Sequence, residues 1–437
     1  MAWILVGVEA GGSCAWAGEG IRAEDAMRWS DSHPAPPELP LPQGTSGWDP
    51  PQSAPELPAV RPGSPTPHRS PRGMAFGSFR AFPEVTATTR WDDNVYKTAT
   101  DPRSDMMTQI KSAIKLLTHW AQNRLEVGYG VTVKRYQELV TEDNTDQMFS
   151  VNTHLSPSRR LEFDLGYTRS LEHDERGEPG KASVKFANLF STPVGPNAWQ
   201  QDSFKGTSRL KLRRLTTEFS LEHAERQSLN NNQSVQDRTW NDGGLLFKWA
   251  LTSKTSLLTE IGQKTTVYDL SPNLDSTETR VLGGISWRAT ARTESQTKMG
   301  ITTKSLTQDS SKDNKSLTWD STFSWQPQSR TRFNFSSRRG FQQSEDLNES
   351  FVSSGMQFGI KHTLATDWNL SAGVDVNQSV YETAKEEIFW TSRAGTEYKL
   401  PNWFSLGMEF VRKTKQSTVP GGEFESNGLM FTLTGAL

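Results

Sequence analysis

From Glu84 to the end of the chain, apolar residues recur at every second position in segments of about 10–14 residues. Leu125, Val127, Tyr129, Val131 and Val133 share one parity; Glu126, Gly128, Gly130, Thr132 and Lys134 take the other. Leu161, Phe163, Leu165 and Tyr167 alternate with Glu162, Asp164, Gly166 and Thr168. Leu317, Trp319, Phe323 and Trp325 alternate with Thr318, Asp320, Thr322 and Ser324. Val352, Met356, Phe358 and Ile360 stand against Ser353, Gly355, Gln357 and Lys361, and Trp368, Leu370, Val374 and Val376 against Asn369, Ser371, Gly373 and Asp375. A period of two predicts strands with one apolar and one polar face. These segments exceed the ~5–6 residues of ordinary soluble strands. They match the ~9–11 residues with which a tilted strand crosses a bilayer. A polar parity of Gly, Ser, Thr and charged residues predicts a wet interior.

The connections sharpen this reading. Short turns are predicted near 119–124, 156–159, 213–214, 252–254, 290–293, 326–329, 365–367 and 400–402. Long polar loops fall near 93–104, 136–146, 172–199, 227–239, 269–278, 307–315, 342–350, 381–387 and 414–426. Short and long connections alternate, joining eighteen strands and leaving both chain ends on the short-turn side. Short periplasmic turns and longer external loops are the plan of outer-membrane barrels. Loop 172–199 is the longest and is the candidate plug or constriction.

Proline and tryptophan agree. Beyond residue 84, Pro102, Pro157, Pro179, Pro193, Pro196, Pro272, Pro327, Pro401 and Pro420 all fall in the expected turns or loops. Proline cannot donate to a sheet ladder, so its exclusion supports the register. Trp120, Trp249, Trp287, Trp325, Trp368 and Trp403 lie within a few residues of short turns. Indole rings favour the headgroup level, so these predict a periplasmic aromatic girdle. The final strand, Asn427–Leu437, ends on Leu437, where barrel chains commonly end on an aromatic residue.

Composition then removes alternatives. Only 34% of the 437 residues are hydrophobic, yet there are 15 Trp and 21 Phe. One soluble core stops growing at roughly 250–300 residues, and no apolar run of about 18 residues supports a membrane helix. A net charge of −2 argues against a nucleic-acid partner. The one cysteine, Cys14, excludes a disulfide scaffold and permits an oxidising compartment.

The first eighty residues read differently. Residues 1–30 resemble an atypical targeting segment, with an apolar run from Ala2 to Val8 broken by Glu9 and no basic n-region. Residues 31–72 hold 13 of the 23 prolines. Such a stretch favours polyproline II and builds no core, so 31–80 is expected to be a disordered linker and 81–437 the barrel.

The sequence offers little for catalysis. Asp92, Asp93, Asn94, Asp101 and Asp105 could supply oxygen ligands, but their spacing fits no calcium loop, and Asx turns explain them more simply. The seven histidines form no metal-binding spacing, and no serine sits in a Gly-x-Ser-x-Gly elbow. No catalytic residue, metal or cofactor is expected. Charge inside the lumen is more informative. On the sixth strand Lys205, Arg209, Lys211 and Arg213 should face inward between Glu162 and Asp164 on one neighbour and Glu218 and Glu222 on the other. That is ordinary cross-strand support. On strands ten to thirteen Arg288, Lys298, Lys304, Arg330, Arg332 and Arg338 should face inward with only Asp320 near them in sequence. Such an uncompensated basic stripe would favour anions, unless infolded loops supply partners.

The stretch Arg90-Trp91-Asp92-Asp93-Asn94-Val95-Tyr96 is followed by Asp101-Pro102-Arg103-Ser104-Asp105, then by Leu125-x-Val127-x-Tyr129 and an acidic loop at Glu142, Asp143, Asn144 and Asp146. This opening resembles the putative β-barrel porin 2 family, over roughly residues 84–437. The resemblance implies an outer-membrane pore associated with exopolysaccharide and capsule loci of Gram-negative bacteria. The expected fold is thus all-β, a transmembrane antiparallel barrel of about eighteen strands. The expected function is passage of a polar polymer, with outer-membrane lipid, a polysaccharide or other polar solute, and periplasmic export components as partners. A diffusion porin for small solutes and a structural or adhesive barrel with a closed lumen are the alternatives.

Overall fold

The computed structural model describes residues 73–118, 120, 123–178, 195–308, 314–343, 350–400 and 403–436, with the backbone of 185–186 and 193–194. The targeting segment and nearly all of the proline-rich linker lie outside these residues, as does Leu437.

Eighteen strands follow one another: β1 Phe79–Asp92, β2 Asp105–Thr118, β3 Arg124–Tyr136, β4 Asn144–Ser158, β5 Leu161–His173 and β6 Ala198–Lys211. Then come β7 Leu215–Ser228, β8 Arg238–Ala250, β9 Thr255–Tyr268, β10 Ser276–Thr290, β11 Thr293–Leu306 and β12 Asn314–Gln328. The last six are β13 Thr331–Gln343, β14 Ser350–Ala365, β15 Trp368–Tyr381, β16 Glu386–Lys399, β17 Phe404–Ser417 and β18 Phe424–Ala436. Each pairs antiparallel with its sequence neighbours, and β1 also pairs with β18, from Glu84 opposite Ala436 to Asp92 opposite Gly428. The ring is closed. Closure leaves none of these eighteen strands with an unpaired edge, which hydrocarbon would not tolerate. A short strand, Met74–Phe76, folds back on the start of β1, so pairing begins within the expected linker.

The alternation is expressed as two surfaces. Ile110, Leu221, Ile261, Val281, Ile301, Met356 and Leu406 stand exposed on the outer wall. Ser150, Thr168, Ser203, Thr302, Ser353 and Asn377 are buried on the inner one. Trp120, Trp249, Trp287, Trp325, Trp368 and Trp403 are between 37% and 55% exposed at the short-turn end, where an aromatic belt meets lipid headgroups.

Two expectations need correction. Pro157 and Pro327 lie inside β4 and β12, one residue from their ends. Both strands slip register there, between Leu155 and Ser158 and between Trp325 and Gln328. A bulge tolerates the missing N–H, so the strands run further into the turns than proline suggested. The surplus Trp is also not all membrane-facing. Trp199 and Trp240 are 2% and 4% exposed on the inner face near the long-loop end.

Candidate channel lumen

At the long-loop end the lumen is lined by folded-in loops. The loop after β5 leaves His173 and turns inward. Glu175 reaches Lys134 of β3 and Lys413 of β17, each at 3.6 Å. Arg176 donates from Nε and Nη2 to Glu142 at 2.9 and 2.7 Å. Residues 174–178 therefore strap the inner wall from β5 past β1 to β17. Gly177 makes this possible: its φ is +75°, and a Cβ there would lie 2.6 Å from the Phe424 ring and 2.8 Å from Lys97. Nearby, Asp174 accepts from the Trp199 indole at 2.9 Å, and the Arg226 guanidinium lies 4.1 Å over that ring.

The loop 93–104 also turns in. Lys97 donates to Asp92 at 2.8 Å, to the Asn94 carbonyl at 2.8 Å and to Ser426 at 2.7 Å. Burial pushes its ammonium down to about 8, against the pull of the Asp92 carboxylate. The acidic residues of this region do not converge on one point. Asp93 binds the Asn427 backbone and side chain, Asp105 accepts from the N–H groups of Glu138 and Leu139, and Asp101 pairs with Arg103.

Below the loops a charge ladder runs around the wall. On β6, Arg209 bridges Glu162 of β5 at 3.2 Å and Glu218 of β7 at 2.9 Å. Lys211 also pairs with Glu162, and Lys205 pairs with Glu222 at 3.2 Å. Asp164 instead meets His154 of β4 at 2.6 Å. The ladder continues through a residue that sequence reasoning passed over, Arg280 on β10. Its guanidinium reaches Glu260 of β9 and Asp242 of β8, both at 2.9 Å. It crosses Gly262, where a Cβ would lie 2.5 Å from Cζ, and approaches Gly244, where one would lie 3.3 Å from Nη2. Two glycines on the polar parity of adjacent strands were the available signal.

The expected basic stripe divides. Lys298 is held by Glu260 at 2.8 Å and by Asp320 at 3.5 Å. Lys304 is buried, 3.6 Å from Glu278 and 2.6 Å from the Ser350 hydroxyl. Arg288 pairs with Glu294 at 3.3 Å. Sequence order hid Glu260 and Glu278, which the pairing of β9, β10 and β11 brings alongside. Arg330 sits in the exposed turn before β13, at the short-turn rim. Arg332 and Arg338 share one parity of β13 with Asn334 and Ser336, opposite to Phe335 on the outer wall, and have no ion pair among the described residues. Lys361 of β14, not singled out from the sequence, stands directly opposite Arg332.

A closed ring of eighteen antiparallel strands, with apolar outer and polar inner faces, is the architecture of an outer-membrane porin. The model of the family described as "Putative beta-barrel porin 2" matches residues 66–437. This chain belongs to that family. As a member of this porin family it is a Gram-negative outer-membrane β-barrel, and the family and fold are those of channels rather than enzymes. No curated protein matches it in sequence. Similar solved structures include Pseudomonas aeruginosa OpdK with vanillate, at 8% identity and TM-score 0.46, covering 82% of this chain and 99% of that one. A BenF-like porin from Pseudomonas fluorescens Pf-5 gives 10% identity and 0.46, covering 82% and 99%. A loop-deletion mutant of Vibrio cholerae OmpT gives 9% identity and 0.38, covering 82% and 100%.

Proposed function

We propose that the barrel is a passive outer-membrane channel for a polar polymer, an exopolysaccharide leaving the cell. The observation that supports this most is the character of the inner wall. It combines hydroxyls, amides, glycines and mutually neutralised ions, all of which offer hydrogen bonds that a sliding chain can exchange. Large buried aromatics gather at the outer end, where Trp199, Phe351, Tyr381 and Phe424 lie. Synthesis or periplasmic export components would supply the driving force. A diffusion channel for small solutes is the second reading, favoured by the strap at residues 174–178, which takes up space at the mouth.

Two measurements separate these. The purified chain in planar bilayers should conduct, and neutral oligosaccharides longer than a disaccharide should interrupt that current. A strain lacking the gene should retain its polysaccharide in the periplasm. Normal secretion by that strain would count against the polymer reading, and absence of current would remove both readings.

A further inference from the structure

From β5 to β12 most inner charges are taken up in ion pairs of opposite sign, even where Glu222 stands opposite Asp242, and the last of these pairs is Lys298 with Asp320. On β13 and β14 that rule stops. Arg332 faces Lys361 directly across the strand pair. Like charges in that position destabilise a sheet, yet neither has an ion pair among the described residues. Inner acids on the flanking strands are engaged elsewhere, Asp320 by Lys298 and Asp375 by Arg393 at 2.8 Å. Arg338 lies six residues further along β13, about 20 Å away at ~3.3 Å per residue. It is exposed to the lumen, flanked in register by Asp320 and by Gly355. Between the two cation levels stand Asn334, Ser336 and Gln357, while Gly359 opposite Asn334 leaves the surface flat.

The geometry points to the β13–β14 inner face as a binding track for an acidic polysaccharide. Carboxylates of sugar acids would engage Arg332 and Lys361 near the short-turn end, then Arg338 further out. Sugar hydroxyls would meet Asn334, Ser336 and Gln357 between them. The inference rests on the polymer-channel reading and names its substrate class. A neutral polymer would draw nothing from two cations held against each other, whereas an anion between them relieves their repulsion. Two levels of charge let one end of a polymer be released while the next is held.

The test uses the full chain in planar bilayers at low salt, with oligogalacturonate and maltooligosaccharide of equal length added from the short-turn side. Oligogalacturonate should block at about a tenfold lower concentration, a difference that shrinks as salt screens the charges. In the Arg332→Ser/Lys361→Ser double variant its blocking concentration should rise about five- to tenfold, as two partly exposed ion contacts are lost. Block by maltooligosaccharide should not change. Arg338→Gln should give a smaller rise, and it keeps the test open if the double variant fails to show heat-modifiable migration on gels. Equal block by the two oligomers, or oligogalacturonate block unmoved by these variants, would overturn the track while leaving a polymer channel. Failure of both oligomers to enter a conducting channel would remove the polymer reading and the track with it.

Discussion

Two stretches of the inner wall are built from the same residue types to opposite effect. Between β5 and β12, Glu162, Arg209 and Glu218, and then Asp242, Arg280, Glu260, Lys298 and Asp320, form chains of alternating sign in which each charge is shared. On β13 and β14, Arg332 faces Lys361, and Arg338, in register with Asp320, forms no ion pair among the described residues. The first stretch stabilises the barrel and contributes little net field. The second costs some stability and leaves its field in the lumen. A charged inner residue is therefore structural or functional according to what the neighbouring strands place beside it.

The largest expected effect would come from breaking the paired side. Arg280→Leu removes the cation that Asp242 and Glu260 share across neighbouring strands. Because the group is partly exposed, the loss should be about 2 kcal/mol rather than the larger cost of a fully buried pair. Arg338→Leu should cost under about 0.5 kcal/mol. Urea-unfolding midpoints of the two variants, read by Trp fluorescence, compare them directly; similar losses would erase the distinction between the walls.

Next in size is ion selectivity. Replacing Arg330, Arg332 and Arg338 by Ser should move reversal potentials toward cations. The Lys205→Ser/Glu222→Ser pair, which removes one charge of each sign, should leave them where they were. A third prediction concerns space. Gly262→Ala forces Arg280 aside and should destabilise by about 1 kcal/mol. In an Arg280→Ala background the same substitution should cost much less, a coupling that a double-mutant cycle measures.

The smallest effect is a pH dependence at the mouth. Lys97 carries its charge below about 8 and loses it above. Raising pH from 7 to 9 therefore leaves the Asp92 carboxylate less compensated, and selectivity should drift toward cations. Lys97→Met should show that cation preference throughout and lose its dependence on pH. A drift of equal size in that variant would assign the titration to another group.

Much of this was readable along the chain. Apolar parity marked the strand type, and the alternation of short and long connections gave eighteen strands and told the two ends apart. Trp near six of the eight short turns marked one membrane boundary. These features are local: the direction of a strand side chain follows from backbone geometry alone, and bilayer thickness fixes strand length. Proline misled slightly at Pro157 and Pro327, because a bulge near a strand end absorbs the missing donor. The buried Trp199 and Trp240 lay on the polar parity near long-loop ends, a signal visible but outweighed by the girdle pattern.

The sequence by itself determined the barrel, its strand number and which end carries the short turns, because a period of two and a turn length are properties of neighbouring residues. Only the tertiary structure decided which inner charges cancel. Lys298 and Glu260 are 38 residues apart, and Glu175 reaches Lys134 and Lys413 through a loop that folds inward. Ion pairing depends on distances of a few ångströms across strands and loops, and those distances come from register and loop path rather than from order along the chain. That is why a stripe of six basic residues became three held cations and, on β13, a smaller group left facing water.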